Sequence, residues 1–73
     1  MYNQDLKKLS FHILIIDDDQ KIRQLLKIFL ENNSFRVSDA ENTQQAKKIM
    51  ETLIFDLLVI DIMMPGQNGL EFL

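Results

Sequence analysis

The chain has no cysteine, which excludes disulfides, thiolate metal centres and cysteine nucleophiles. It has one histidine, His12, so no site can use two imidazoles, and any Ser-His-Asp arrangement would have to run through that residue. One proline and two glycines place the turn chemistry at Pro65-Gly66 and Gly69. No GxGxxG or phosphate-binding glycine loop exists, so nucleotide binding has no support. Basic residues never occur more than two in a row, and eight of them stand against eleven acidic ones for a net charge of −3. Nucleic-acid binding needs clustered Lys and Arg, so no direct nucleic-acid partner is expected. The longest apolar runs are four residues, Ile13 to Ile16 and Leu57 to Ile60, far short of a membrane span. The polar start Met1-Tyr2-Asn3-Gln4-Asp5 lacks the apolar stretch of a signal peptide. A cytoplasmic protein with no membrane partner is the expectation.

At 47% hydrophobic and 26% charged residues, the composition is that of a folded globular chain. Seventy-three residues amount to one domain, which at this size buries only about 60–65% of its unfolded surface. Residues 1–10 read as a polar arm and residues 11–73 as the domain.

A repeating pattern starts at Phe11. Ile13-Leu14-Ile15-Ile16 suits a strand buried on both faces, as in a parallel sheet. It stops at Asp17-Asp18-Asp19, where Asp18 or Asp19 stands in N-cap position. Ile22, Leu25, Leu26 and Phe29 then form the apolar stripe of a helix, which Asn32-Asn33-Ser34 ends. Phe35-Arg36-Val37-Ser38 alternates as a second strand. Asn42 to Gln45 resembles a capping box ahead of a stripe at Ala46, Ile49, Met50 and Leu53. Leu57-Leu58-Val59-Ile60 is a third all-apolar strand ending at Asp61. After Pro65-Gly66, the stretch from Gly69 to Leu73 reads as the first turn of a third helix. The order β-α-β-α-β implies an α/β fold with a parallel sheet and right-handed crossovers.

In such sheets the site lies at the carboxyl ends of the strands. Two strands end in aspartate, at Asp17-Asp18 and at Asp61, and if the strands are neighbours three carboxylates converge. Like charges this close disfavour one another's ionised form, so the cluster takes up protons, binds a cation, or both. Oxygen donors with no His or Cys among them favour Mg²⁺ over zinc. The plainer reading is that these are loop aspartates capping helices. Each end alone fits that reading, but the two together, each after four apolar residues, do not.

Ile13-Leu14-Ile15-Ile16-Asp17-Asp18-Asp19, followed at the right distance by Leu58-Val59-Ile60-Asp61-Ile62-Met63-Met64-Pro65-Gly66-Gln67-Asn68-Gly69, resembles a response-regulator receiver domain of two-component signalling over residues 11–73. The resemblance implies a flavodoxin-like, CheY-like sheet with strand order 2-1-3. It makes Asp61 the phosphoacceptor, phosphorylated by a sensor histidine kinase or phosphotransfer protein. Asp17, Asp18, Asp61 and the Met63 carbonyl would be the Mg²⁺ ligands, Asp17 directly or through a water. The implied protein is a regulator and not an enzyme, at most catalysing its own phosphotransfer and dephosphorylation. A receiver has five βα units, and this chain shows two and the start of a third. The family's Ser/Thr after the fourth strand and its Lys and aromatic residue of the fifth have no counterpart here. The alternative is therefore a truncated remnant that associates through the open edge of its third strand. On the first reading, the missing residues mean that no ordinary phosphorylation switch is expected in this chain alone. An aspartate-based hydrolase is disfavoured because Met63 stands where a second acid would be needed.

Other residues have plainer readings. His12 reads as a core histidine at the far end of the sheet, and Asp56 as a cap on the turn after the second helix. Lys7-Lys8 and Lys47-Lys48 read as solvated, and Met50, Met63 and Met64 as packing residues.

Overall fold

The structure, a computed structural model, describes residues 11–61. The arm expected over 1–10, Met63 and Met64, the Pro65-Gly66 loop, Asn68 and the third helix from Gly69 lie outside the described residues. Within them the chain runs β1 (His12–Ile16), α1 (Gln20–Asn32), β2 (Arg36–Ala40), α2 (Thr43–Thr52) and β3 (Leu57–Ile60). The strands form one parallel sheet, as the alternating pattern implies, in the order β2-β1-β3 that the resemblance implies.

β1 is the centre of the structure. All five of its residues are buried, because β2 and β3 flank it and helices lie on its faces. Leu14 and Ile16 join Ala40 and Ala46 in a core against which Ile49, Phe55, Leu58 and Ile60 pack. That is the α2 face. Ile13 and Ile15, register partners of Val37 and Asp39, point to the opposite face, where Arg23 of α1 reaches Asp39.

The helix ends follow local chemistry. Asp19, and not Asp18, caps α1, its carboxylate accepting from the N–H groups of Lys21 and Ile22. At the other end Ser34 takes φ 70°, with Ser34 N–H donating to the Glu31 carbonyl and Phe35 N–H to that of Leu30. This is the paired bonding of a Schellman motif, closed by a serine where glycine would avoid a steric cost of roughly 1 kcal/mol. Asn42 caps α2 by accepting from Gln45 N–H. The return bond of the box goes one residue further back, from Glu41 N–H to the Gln45 side chain.

Expectations for β2, α1 and α2 are corrected. β2 starts and ends later than Phe35 to Ser38, which brings Asp39 and Ala40 into the ladder. The side of α1 turned inward carries Arg23, Leu26, Lys27 and Leu30. Of the expected stripe, Ile22, Leu25 and Phe29 are 48%, 67% and 64% exposed. On the facing strand, Asp39 pairs with Arg23 and Lys27, which sets the cationic side of the helix against the sheet. Along β3, Leu57 and Val59 are also partly exposed, so the strand is covered on its α2 face and open on the other. Met50 and Leu53 are 41% and 44% exposed, and α2 packs into the core through Ala46 and Ile49.

At the amino end of the sheet, Asp56, expected to cap the turn after α2, bonds instead to the first strand. It joins β1 to β3: its carboxylate accepts from His12 N–H at 2.8 Å, and its own N–H donates to the His12 carbonyl at 2.8 Å. The buried His12 ring lies against Phe55, with centroids 4.2 Å apart, and its Nε2 is 2.9 Å from Ser38 Oγ. Burial, helped by the Arg36 charge and opposed by Asp56, holds His12 below its ordinary value of 6.5. The folded chain therefore binds this proton less readily than the unfolded one. The stability that depends on a neutral His12 is complete above 6.5 and is lost as pH falls through that value and the lowered folded one. In urea titrations at about pH 7.5 and about pH 5.5, the wild-type midpoint should drop more than that of His12→Gln. Equal drops would show that His12 titrates alike in both states.

Candidate functional site

The site is built where two apolar strands run out. Backbone pairing continues one residue past each strand: Asp17 N–H donates to the Ala40 carbonyl at 3.1 Å, and Asp61 N–H to the Ile16 carbonyl at 2.9 Å. These bonds fix Asp17 and Asp61 at the same edge of the sheet. Asp18 follows Asp17 directly, so all three expected carboxylates meet at the carboxyl ends of β1 and β3. Each offers one oxygen, and the three oxygens lie within 4.8 Å of one another.

The consecutive aspartates differ in what they do. Asp17 is buried, and its Oδ1 accepts from Asp19 N–H at 2.9 Å, which turns the chain out of the sheet. Asp19 is occupied by the cap. Asp18, without a capping role, is exposed, and Asp61 is half-buried. The crevice thus runs from a buried carboxylate to a solvent-facing one, with Asp61 between these extremes in burial.

A set of hard oxygen donors this close, with no nitrogen or sulfur among them, fits a small hard cation that keeps part of its water shell. The Met63 carbonyl, the expected fourth donor, is outside the described residues.

Two residues near the site were not singled out in the sequence. Arg23 donates from Nη1 to the Asp17 carbonyl at 2.7 Å and from Nε to Asp39 Oδ2 at 2.7 Å. Lys27 Nζ lies 3.4 Å from Asp39 Oδ1. The available signal was a pair of cations four residues apart, at 23 and 27, interrupting an apolar helix. Such a pair ordinarily marks a solvated face, and nothing local says that its partner lies on the next strand.

Residues 13–73 match the response regulator receiver domain family. Protein PetR of Rhodobacter capsulatus is 46% identical over 60 residues, which is 82% of this chain and 25% of PetR. Among solved structures, chemotaxis response regulator CheY4 of Vibrio cholerae superposes with a TM-score of 0.80 at 29% identity, over 85% of this chain and 52% of that one. Response regulator TrrA of Thermotoga maritima, in complex with Mg(2+)-BeF, gives 0.78 at 40% identity, over 85% and 54%. TrrA is also known in complex with histidine kinase ThkA. The chain spans about a quarter of PetR and about half of the solved relatives.

Proposed function

Because the chain belongs to the response regulator receiver domain family, we propose that it is a phosphoacceptor module in which Asp61 takes a phosphoryl group from a histidine kinase or phosphotransfer protein. The observation that carries this is the convergence of Asp17, Asp18 and Asp61 at one edge of the sheet. A carboxylate oxygen of Asp61 attacks the phosphorus, the bond from phosphorus to the donor's histidine nitrogen breaks, and that nitrogen keeps the electron pair. The product on the chain is an acyl phosphate.

Three carboxylates alone would repel the incoming phosphoryl oxygens. Mg²⁺ held by Asp17, Asp18 and Asp61 would neutralise that charge, which is the chief requirement of phosphoryl transfer. The chain's own contribution is positional. The two backbone bonds at Asp17 and Asp61 fix the acceptor relative to the cation-binding pair. Support for Mg²⁺ and for a kinase partner comes from TrrA, which is known with each. No helix among the described residues is long and apolar enough to cross a membrane.

A second reading, association through the open edge of β3, draws on its place at the end of the described sheet, paired with β1 alone among the described residues. One experiment separates the two. The chain is incubated with acetyl phosphate, with and without Mg²⁺, and its intact mass is measured. A Mg²⁺-dependent gain of one phosphoryl group is expected. No gain, from a chain shown to be folded, would overturn the phosphoacceptor reading and leave the association module.

A further inference from the structure

The loop from β1 to α1 is only three residues, Asp17-Asp18-Asp19, yet two of its carboxylates must face one small crevice. The chain leaves the sheet at Asp17, where the residue is buried and its carbonyl needs a donor. Arg23 supplies it from one turn into α1. Its side chain is only 11% exposed and that of Asp39 20%, so this is not a loose surface pair. The guanidinium spans from Asp39 on β2 to the Asp17 main chain, with one N–H on each at 2.7 Å. A rigid planar fork can serve both acceptors at once, and a lysine ammonium on its flexible stem cannot hold that geometry.

We propose that Arg23, anchored by Asp39, is a positioning residue for the acidic site: it fixes the main chain at Asp17 and thereby the spacing of the Asp17 and Asp18 carboxylates that take Mg²⁺. The inference rests on the Mg²⁺ reading given above. It has an opposite in simple electrostatics. A guanidinium beside three carboxylates repels a divalent cation, so if Arg23 acted only through its charge, removing it would tighten Mg²⁺ binding. If it acts by position, removing it loosens binding, and so does Arg23→Lys, which keeps the charge and loses the fork. Lys27 carries the same charge to the same Asp39 without an observed bond to Asp17. Lys27→Gln should therefore leave Mg²⁺ affinity within about twofold of wild type.

The test is a MgCl2 titration of the ¹⁵N-labelled full chain by NMR. The amides of Asp18, Asp19 and Asp61 report binding, and those of α2 report the fold. The expected result is a saturable wild-type response and about a tenfold weaker one in Arg23→Lys and Arg23→Gln, the size typical of groups that orient metal ligands, with the α2 amides unmoved. If both Arg23 variants lose the fold, Asp39→Asn and Asp39→Ala decide together, because both remove the same charge but only the amide oxygen still accepts from Nε. Asp39→Ala should bind Mg²⁺ at least about threefold more weakly than Asp39→Asn. Equal affinities in the two would assign the effect to charge and overturn the proposal. Folded Arg23 variants that bind Mg²⁺ as tightly as wild type overturn the positioning role alone. A folded wild-type chain with no Mg²⁺ response overturns it together with the Mg²⁺ reading.

Discussion

Asp61→Asn is expected to remove phosphoryl uptake from acetyl phosphate, lowering its rate by about 100-fold or more, equivalent to about 2.7 kcal/mol or more of barrier. The substitution is nearly isosteric, and the Asp61 N–H bond to the Ile16 carbonyl is a backbone contact that the amide leaves in place, so the fold should persist. What disappears is the anionic oxygen that attacks phosphorus. One ambiguity remains, because the variant also removes one of three carboxylates within 4.8 Å and so weakens the cation site. Asp61→Glu resolves it. That variant keeps the charge but extends the carboxylate by one methylene, and a displacement of about 1 Å can cost on the order of 10²-fold in a positioned reaction. Asp61→Glu should therefore bind Mg²⁺ and still fail to take up phosphate at the wild-type rate. Uptake by Asp61→Asn equal to wild type, measured by intact mass, would remove Asp61 from the acceptor role.

The acidic site was legible because its signal is local and doubled. A parallel strand covered on its faces is written as an unbroken apolar run, so the residue that ends the run marks the edge of the sheet. Ile16-Asp17 and Ile60-Asp61 are two such endings. The β-α-β-α-β pattern implies one sheet, but that β1 and β3 are neighbours was implied only by the family resemblance, with which the β1–β3 register of Ile16 with Ile60 agrees. The helix caps were legible for the same reason, since Asp19 and Asn42 bond to groups two or three residues away.

What the sequence hid depends on partners distant along the chain. The apolar stripe of α1 reads as the buried face until Asp39, sixteen residues from Arg23, draws the cationic side of the helix inward. The end of β2 was misplaced because Asp39-Ala40 carries little strand propensity. Those residues are in the ladder because β1 continues to Ile16 and needs a partner. The assignment of Asp56 failed likewise, because its bond is to His12, forty-four residues away. Ion pairs and strand ends here are set by tertiary structure, while runs and caps are set by neighbours.

The same asymmetry predicts where stability resides. Leu14→Ala should destabilise the chain by about 3 kcal/mol, within the usual range of about 2–5 for a buried leucine. Leu14 is fully buried, and the cluster around it with Ile16, Ala40, Ala46, Ile49, Phe55, Leu58 and Ile60 draws on β1, β2, β3, α2 and the segment before β3. These groups belong to several elements already fixed by backbone bonds, so they have little freedom to collapse into the cavity. The core of a domain this small rarely supplies more than about 3–5 kcal/mol in total, so the loss is enough to populate the unfolded chain in water. Leu25→Ala deletes the same atoms from a residue that is 67% exposed, and it should cost less than about 1 kcal/mol. The two differ in burial: Leu14 lies in the closed core on the α2 face, and Leu25 stands on the outward side of α1. Urea unfolding followed by far-UV circular dichroism checks this. A midpoint for Leu14→Ala no lower than that for Leu25→Ala would mean that the packing holding β1 in place, and with it Asp17 at the site, lies on the α1 face instead.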